Sequence, residues 1–232
     1  MPDFAMSPDI PRQELLRALY GFQAGQEALR QVACGAGCAA CCTDRVYLTG
    51  LEGALLRQEL LRLGRKDLLA RPGPAAPPAY TCNQLARLCL EQREPPAEDA
   101  PQGPAGVCAL LEDGRCAAYQ ARPLACRIMA SRVVCRRGGQ AQGDPWWLTL
   151  DTALMQIAEH LDLGGVYGAL GAVLSTENGQ PGQWLLACEP LPGLPAPPEH
   201  QARLQQALGP LFASPVDGRP LGAWLNLIRA GA

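Results

Sequence analysis

The sequence is poor in aromatic residues, in lysine and in histidine, and each shortage narrows what the chain can be. Aromatics make up 5% of its 232 residues, so leucine, alanine and valine must fill most of a core that a 48% hydrophobic content amply supplies. Lys66 is the one lysine among 20 basic residues, which face 22 acidic ones. A net charge of −2 and a pI of about 5.7 lack the broad basic footprint of a nucleic-acid binder, so nucleic acid is not an expected partner. His160 and His200 stand isolated on helical stretches and make poor metal ligands. No Ser/His/Asp set, phosphate loop or paired-carboxylate site stands out, and no catalytic residue is singled out.

Long apolar runs are missing too. The nearly uncharged stretch from Leu163 to Leu174 falls short of the roughly 20 residues that cross a bilayer. Met1-Pro2-Asp3-Phe4-Ala5-Met6-Ser7-Pro8 offers an acid and prolines where a signal peptide needs basic and then apolar residues. The expectation is a cytoplasmic protein with no membrane partner. Arginine in place of lysine, with abundant alanine, glycine and proline, points to a GC-rich bacterial genome.

What is abundant is cysteine, with 11 residues. Cytosolic thiols are kept reduced, so clustered cysteines there serve as metal ligands or redox groups more often than as disulfides, and an odd count fits a fully paired framework poorly. Two blocks carry the signal. The first is Cys34-x3-Cys38-x2-Cys41-Cys42; the second is Cys108-x7-Cys116-x9-Cys126, with Cys135 nine positions on. Close spacing lets one loop present several thiolates to one centre, and a distant segment completes the ligand shell. Adjacent side chains diverge, so Cys41 and Cys42 do not both serve as ordinary terminal ligands of one ion. Either two neighbouring centres form, or one of the pair bridges or stands spare. The eight cysteines 34, 38, 41, 42, 108, 116, 126 and 135 suffice for two four-thiolate sites. Thiolates suit zinc and iron–sulfur clusters alike, and spacing leaves that choice open. Six arginines crowd residues 115 to 137 with no acid from Gly114 through Gly143; Arg122 and Arg127 are expected to support the centre from behind the thiolates, offsetting their charge. Cys82, Cys89 and Cys188 read as packing residues.

The first block, followed by Cys108-Ala-Leu-Leu-Glu-Asp-Gly-Arg-Cys116-Ala-Ala-Tyr119-Gln-Ala-Arg122-Pro123-Leu-Ala-Cys126-Arg127, resembles the bacterial YkgJ-type cysteine-cluster family over roughly residues 30 to 136. That family is described as a zinc- or iron-chelating domain, and its eight-cysteine pattern maps onto the eight positions above. Some larger relatives are linked to flagellin lysine methylation, but this chain has no separate methyltransferase region, and that activity does not carry over.

The fold expected around these blocks is mainly α: a helical scaffold with irregular cysteine-rich metal-binding loops. Residues 1–140 would form the cysteine-cluster domain with Pro-rich insertions at 71–79 and 95–106, and residues 141–232 a helical C-terminal extension packed on it. Apolar spacing predicts a helix from Pro11 to Ala33 with its cap in Ser7 to Asp9, and Thr49-Gly50-Leu51-Glu52 is a capping box opening a second. Shorter helical signals follow at Asn83–Glu91, after Asp144-Pro145, along Val166, Leu170 and Val173, and near Glu199–Phe212 and Leu221–Arg229. The segment from Cys108 to Cys135 reads as turns. Three functions fit: a metal-binding protein, an iron–sulfur enzyme (S-adenosylmethionine-dependent or protein-modifying), or a zinc-stabilised adaptor binding a protein through its C-terminal helices. Cys34-x3-Cys38-x2-Cys41 has the radical S-adenosylmethionine spacing, but Ala40 stands where that motif has an aromatic, and no barrel pattern follows.

Overall fold

A computed structural model describes residues 10–35, 37–69, 77–95, 105–136, 141–176 and 185–231. The expected cap at Ser7 to Asp9, Trp184, Arg137 and most of both Pro-rich insertions lie outside the described residues. Eight α-helices carry the described chain, with only short strands between them. It is a mainly α protein.

Helix α1 (Arg12–Glu27) is followed by the first cysteine block, then by β1 (Tyr47–Thr49) and α2 (Gly50–Arg62). The capping box at α2 forms as expected. Thr49 Oγ1 accepts the Glu52 amide, and the Glu52 carboxylate accepts the Thr49 amide in return. Gly64, at φ +71°, turns the chain out of α2 in the left-handed conformation that a helix end favours. Helix α3 (Cys82–Leu90) repeats the device with Thr81 and Gln84. The second cysteine block holds β2 (Leu111–Glu112), β3 (Arg115–Cys116) and α4 (Leu124–Ile128). Beyond it come α5 (Pro145–Leu161), β4 (Val166–Ala169), α6 (Leu170–Ser175), β5 (Leu185–Ala187), α7 (Pro198–Ala213) and α8 (Leu221–Ala230). Asp144 caps α5 by accepting the Trp146 amide, with Pro145 in the first turn.

Two apolar cores result. Leu15, Leu16 and Leu19 of α1 meet Leu150, Leu154, Ile157 and Leu161 of α5, with Leu204 and Leu208 of α7 against them. Leu221, Trp224, Leu225 and Ile228 of α8 are buried in this same core. The second core joins Leu48 of β1, Leu56 and Leu60 of α2, Val166 of β4, and Leu170 and Val173 of α6 to Leu110 and Ala118 of the cysteine segment. An antiparallel sheet in the order β1-β4-β5 runs beneath it, with Leu48 opposite Gly168 and Tyr167 opposite Leu186.

Three expectations need correction. Helix α1 ends at Glu27, not near Ala33, and Leu29 is 70% exposed. The reason lies in tertiary ties: Arg30 forms a buried, bidentate ion pair with Asp151 of α5, and Ala33 donates its amide to Ser131. Val166, Leu170 and Val173 are not one helix. Val166–Ala169 is a central strand buried along its whole length, and a strand covered on both faces cannot be told from a helix by periodicity. Nor is the second cysteine block all turns, since Cys116 sits on β3 and Cys126 on α4.

Candidate metal centre

Five local arrangements position the cysteines. After α1 the chain crosses the 131–136 segment: the Ala33 amide donates to the Ser131 carbonyl at 2.7 Å, and the Ser131 amide donates back to Cys34 Sγ at 3.2 Å. Turns follow, in which Cys38 donates its amide to Gly35 and Cys42 to Ala39. Gly37 has φ +93°, a conformation that favours glycine there. The two blocks are then stitched together. Thr43 and Val107 form an antiparallel bridge, and the Cys108 amide donates to the Cys42 carbonyl at 3.1 Å.

The β2–β3 hairpin turns on Asp113-Gly114, with φ of 47° and 75°. Positive φ at both central residues is the mirror-image turn that matches strand twist. It sets Cys116 opposite Leu111. Cys126 is presented by α4, whose first amide, that of Leu124, donates to Glu52 Oε1 at 2.7 Å. The same buried carboxylate accepts the Tyr20 hydroxyl at 2.9 Å. Arg127 lies 4.3 Å above the Tyr20 ring and donates to the carbonyls of Arg122 and Gln120. Glu52 thus holds α1, α2 and α4 in register behind the cysteines. The sequence announced Glu52 as a helix cap; its reach to Leu124 and Tyr20 spans 72 and 32 residues and leaves no local signal.

Together these elements enclose a chamber of about 350 Å³. Seven cysteines line it: Cys34, Cys38, Cys41, Cys42, Cys108, Cys116 and Cys126. Val46, Leu56, Leu110 and Leu170 form its apolar back, and Arg115, Arg122, Arg127 and Tyr119 complete the wall. Cys135 is not part of the lining, but it stands within electrostatic reach of Cys34. Cys38 and Cys41 are exposed and the other six cysteines of the two blocks are half-buried. Among the described residues no three Cys, His, Asp or Glu side chains are already drawn together as a set that could hold a metal ion.

The electrostatics follow from burial and from the neighbours. Burial raises the thiols of Cys34, Cys108 and Cys116 above their ordinary range, and pushes Cys126 up to about 12. Cys41 goes the other way, lowered by the hydrogen bond it shares with Cys42 and also by the charge of Arg122; Cys42 is correspondingly raised. The Arg122 guanidinium stacks 3.7 Å over Tyr119, and its buried Nε has no hydrogen-bond partner. Its charge also favours the thiolates of Cys116 and Cys126. The chamber is therefore sulfur-rich, partly shielded from water and faced by a cation.

The remaining candidates lie elsewhere. Cys82 bonds the Tyr167 hydroxyl at 3.4 Å and Cys188 is buried, whereas Cys89, expected to pack, is exposed on α3. His160 is buried, with Nδ1 accepting the Leu191 amide and Nε2 facing the Leu225 carbonyl; His200 pairs with Thr149. Arg136 is exposed. Among the described residues no helix is long and apolar enough to cross a membrane. No protein-family model matches the chain, and neither a curated protein nor a solved structure is significantly similar to it.

Proposed function

We propose that this protein binds metal through its clustered cysteine thiolates, as an iron–sulfur cluster or as zinc. The observation that carries the reading is the chamber that gathers seven thiols from two blocks about 70 residues apart in sequence. Cys34, Cys38, Cys41, Cys42, Cys108, Cys116 and Cys126 would supply the ligands, with Cys135 joining beside Cys34. The Ser131 amide aimed at Cys34 Sγ and the Arg122 guanidinium suit the neighbours of a metal thiolate, which gains from hydrogen bonds to sulfur and from charge compensation. The resemblance of both blocks to the YkgJ-type pattern points the same way. An iron–sulfur cluster would give the protein one-electron chemistry, whereas zinc would serve structure or metal handling.

Ligation requires deprotonated sulfur, so each bound metal displaces thiol protons that burial otherwise retains. The test is iron, zinc and acid-labile sulfide analysis of protein purified without oxygen. Iron with matching sulfide and a brown chromophore, or zinc without sulfide, would support the reading and decide between its two forms. Protein that emerges with neither metal and takes up neither on reconstitution would end it.

A further inference from the structure

We infer that the chamber takes a small monocarboxylate with an apolar body, its charged end held by Arg122 and its body lying against Val46, Leu110 and Leu170. The inference goes beyond the metal reading and does not require it.

It starts from an arginine whose donors have no acceptor. Arg12, Arg30, Arg57, Arg65, Arg87 and Arg127 are buried or half-buried, and each donates to a carbonyl or carboxylate of the protein. Arg122 is half-buried as well, yet no hydrogen bond or ion pair joins it to a described residue, and its Nε is buried without a partner. Guanidinium donors held away from water with nothing to accept them cost free energy, which a bound anion would recover.

Local structure fixes how this group is presented. The 3₁₀ turn Tyr119–Ala121 brings the Tyr119 ring beneath the guanidinium at 3.7 Å. Pro123 follows and holds Arg122 in an extended conformation, with ψ of 134°. Stacking uses the face of the guanidinium and leaves its terminal nitrogens able to grip a carboxylate through parallel bonds.

The chamber that Arg122 lines supplies the rest. A volume of about 350 Å³ is more than a lone ion fills and falls at the small end of ligand sites. Such sites combine apolar walls with a few placed polar groups, and here Val46, Leu56, Leu110 and Leu170 form the apolar back. The wall offsets one negative charge and no more. Arg127 already donates to the carbonyls of Arg122 and Gln120, and Arg115 is exposed. Glu27, the one acid among the described residues of the lining, opposes a second negative charge. A monocarboxylate therefore fits better than a phosphate monoester.

The test is titration calorimetry on the full chain as purified without oxygen, using hexanoate, hexanamide, acetate and hexyl phosphate. Hexanoate is expected to bind once per chain. The other three should bind about tenfold or more weakly, lacking in turn the charge, the apolar body and the match in charge. Arg122→Ala should weaken hexanoate about tenfold or more and leave hexanamide unchanged, while Arg122→Lys recovers only part, restoring the charge without the fork. Should Arg122→Ala fail to fold by circular dichroism, the four ligands on wild-type protein decide alone. Equal affinity for hexanoate and hexanamide, tighter binding of hexyl phosphate, undiminished hexanoate binding by folded Arg122→Ala, or no saturation by ~10 mM hexanoate would overturn the inference. Metal analysis of the same preparation reads the other claim separately. Hexanoate binding by protein that takes up no metal sinks the metal reading alone, and metal uptake without hexanoate binding sinks this inference alone.

Discussion

A carboxylate exposed to only 3% is tolerated where donors surround it, and Glu52 accepts from Tyr20, from the Leu124 amide and from both the amide and hydroxyl of Thr49. Glu52→Ala would strand at least three buried donors and should cost about 4 kcal/mol, read from urea denaturation; a loss below about 1 kcal/mol would show that water replaces the carboxylate there. Asp162 poses the opposite case. Burial lifts its carboxyl from 3.8 to about 6, although it accepts the Leu51 amide. The folded chain then holds a proton that the unfolded chain releases. Stability from this group is full below about pH 4 and is lost as pH rises through about 6, a swing of about 3 kcal/mol. Asp162→Asn keeps an oxygen for Leu51 and should flatten that decline, equalling or exceeding wild type at pH 7.5. Urea midpoints across pH 4 to 7.5 check it, and an unchanged slope would contradict the assignment.

Among the elements, α2 shows how local signals set both ends of a helix. Thr49 and Glu52 open it, and Gly64 follows its end at positive φ. Gly64→Ala should lower stability by about 1 kcal/mol, because a Cβ is disfavoured in that conformation; the thermal midpoint measures it. Helices with caps and a one-sided apolar stripe, α2, α3 and α5, were legible in the sequence for this reason. The end of α1 was not, because Arg30 leaves the helix to meet Asp151, 121 residues away. Strand β4 was not, because an element buried on both faces has no polar rhythm to betray its period. In the candidate site the cysteine spacing singled out eight thiols, of which seven line the chamber and Cys135 does not. The positioning by Glu52, Tyr20 and Ser131 depends on contacts between segments distant in sequence and had no pattern to reveal it.

At the scale of the whole molecule, the helical core of α1, α5, α7 and α8 is closed by leucines and two tryptophans, whereas the described residues of 28–46 and 105–136 are tied by main-chain bridges, the Arg30–Asp151 pair and a few buried side chains such as Val46, Leu110, Ala118 and Leu124. Metal would then order the cysteine segments without being needed by the helices. Chelation with verified metal loss should expose residues 28–46 and 105–136 to limited proteolysis while a fragment carrying α5 to α8 persists. Unchanged resistance would separate the cysteines from any ordering role. The most direct measurement is X-ray absorption at the zinc or iron edge on anaerobically purified protein. An all-sulfur first shell at about 2.3 Å is expected for a centre built from these thiolates. A shell of nitrogen and oxygen, or the same all-sulfur signal from a variant with serine in place of all seven chamber-lining cysteines, would place the metal elsewhere and contradict the chamber as its site.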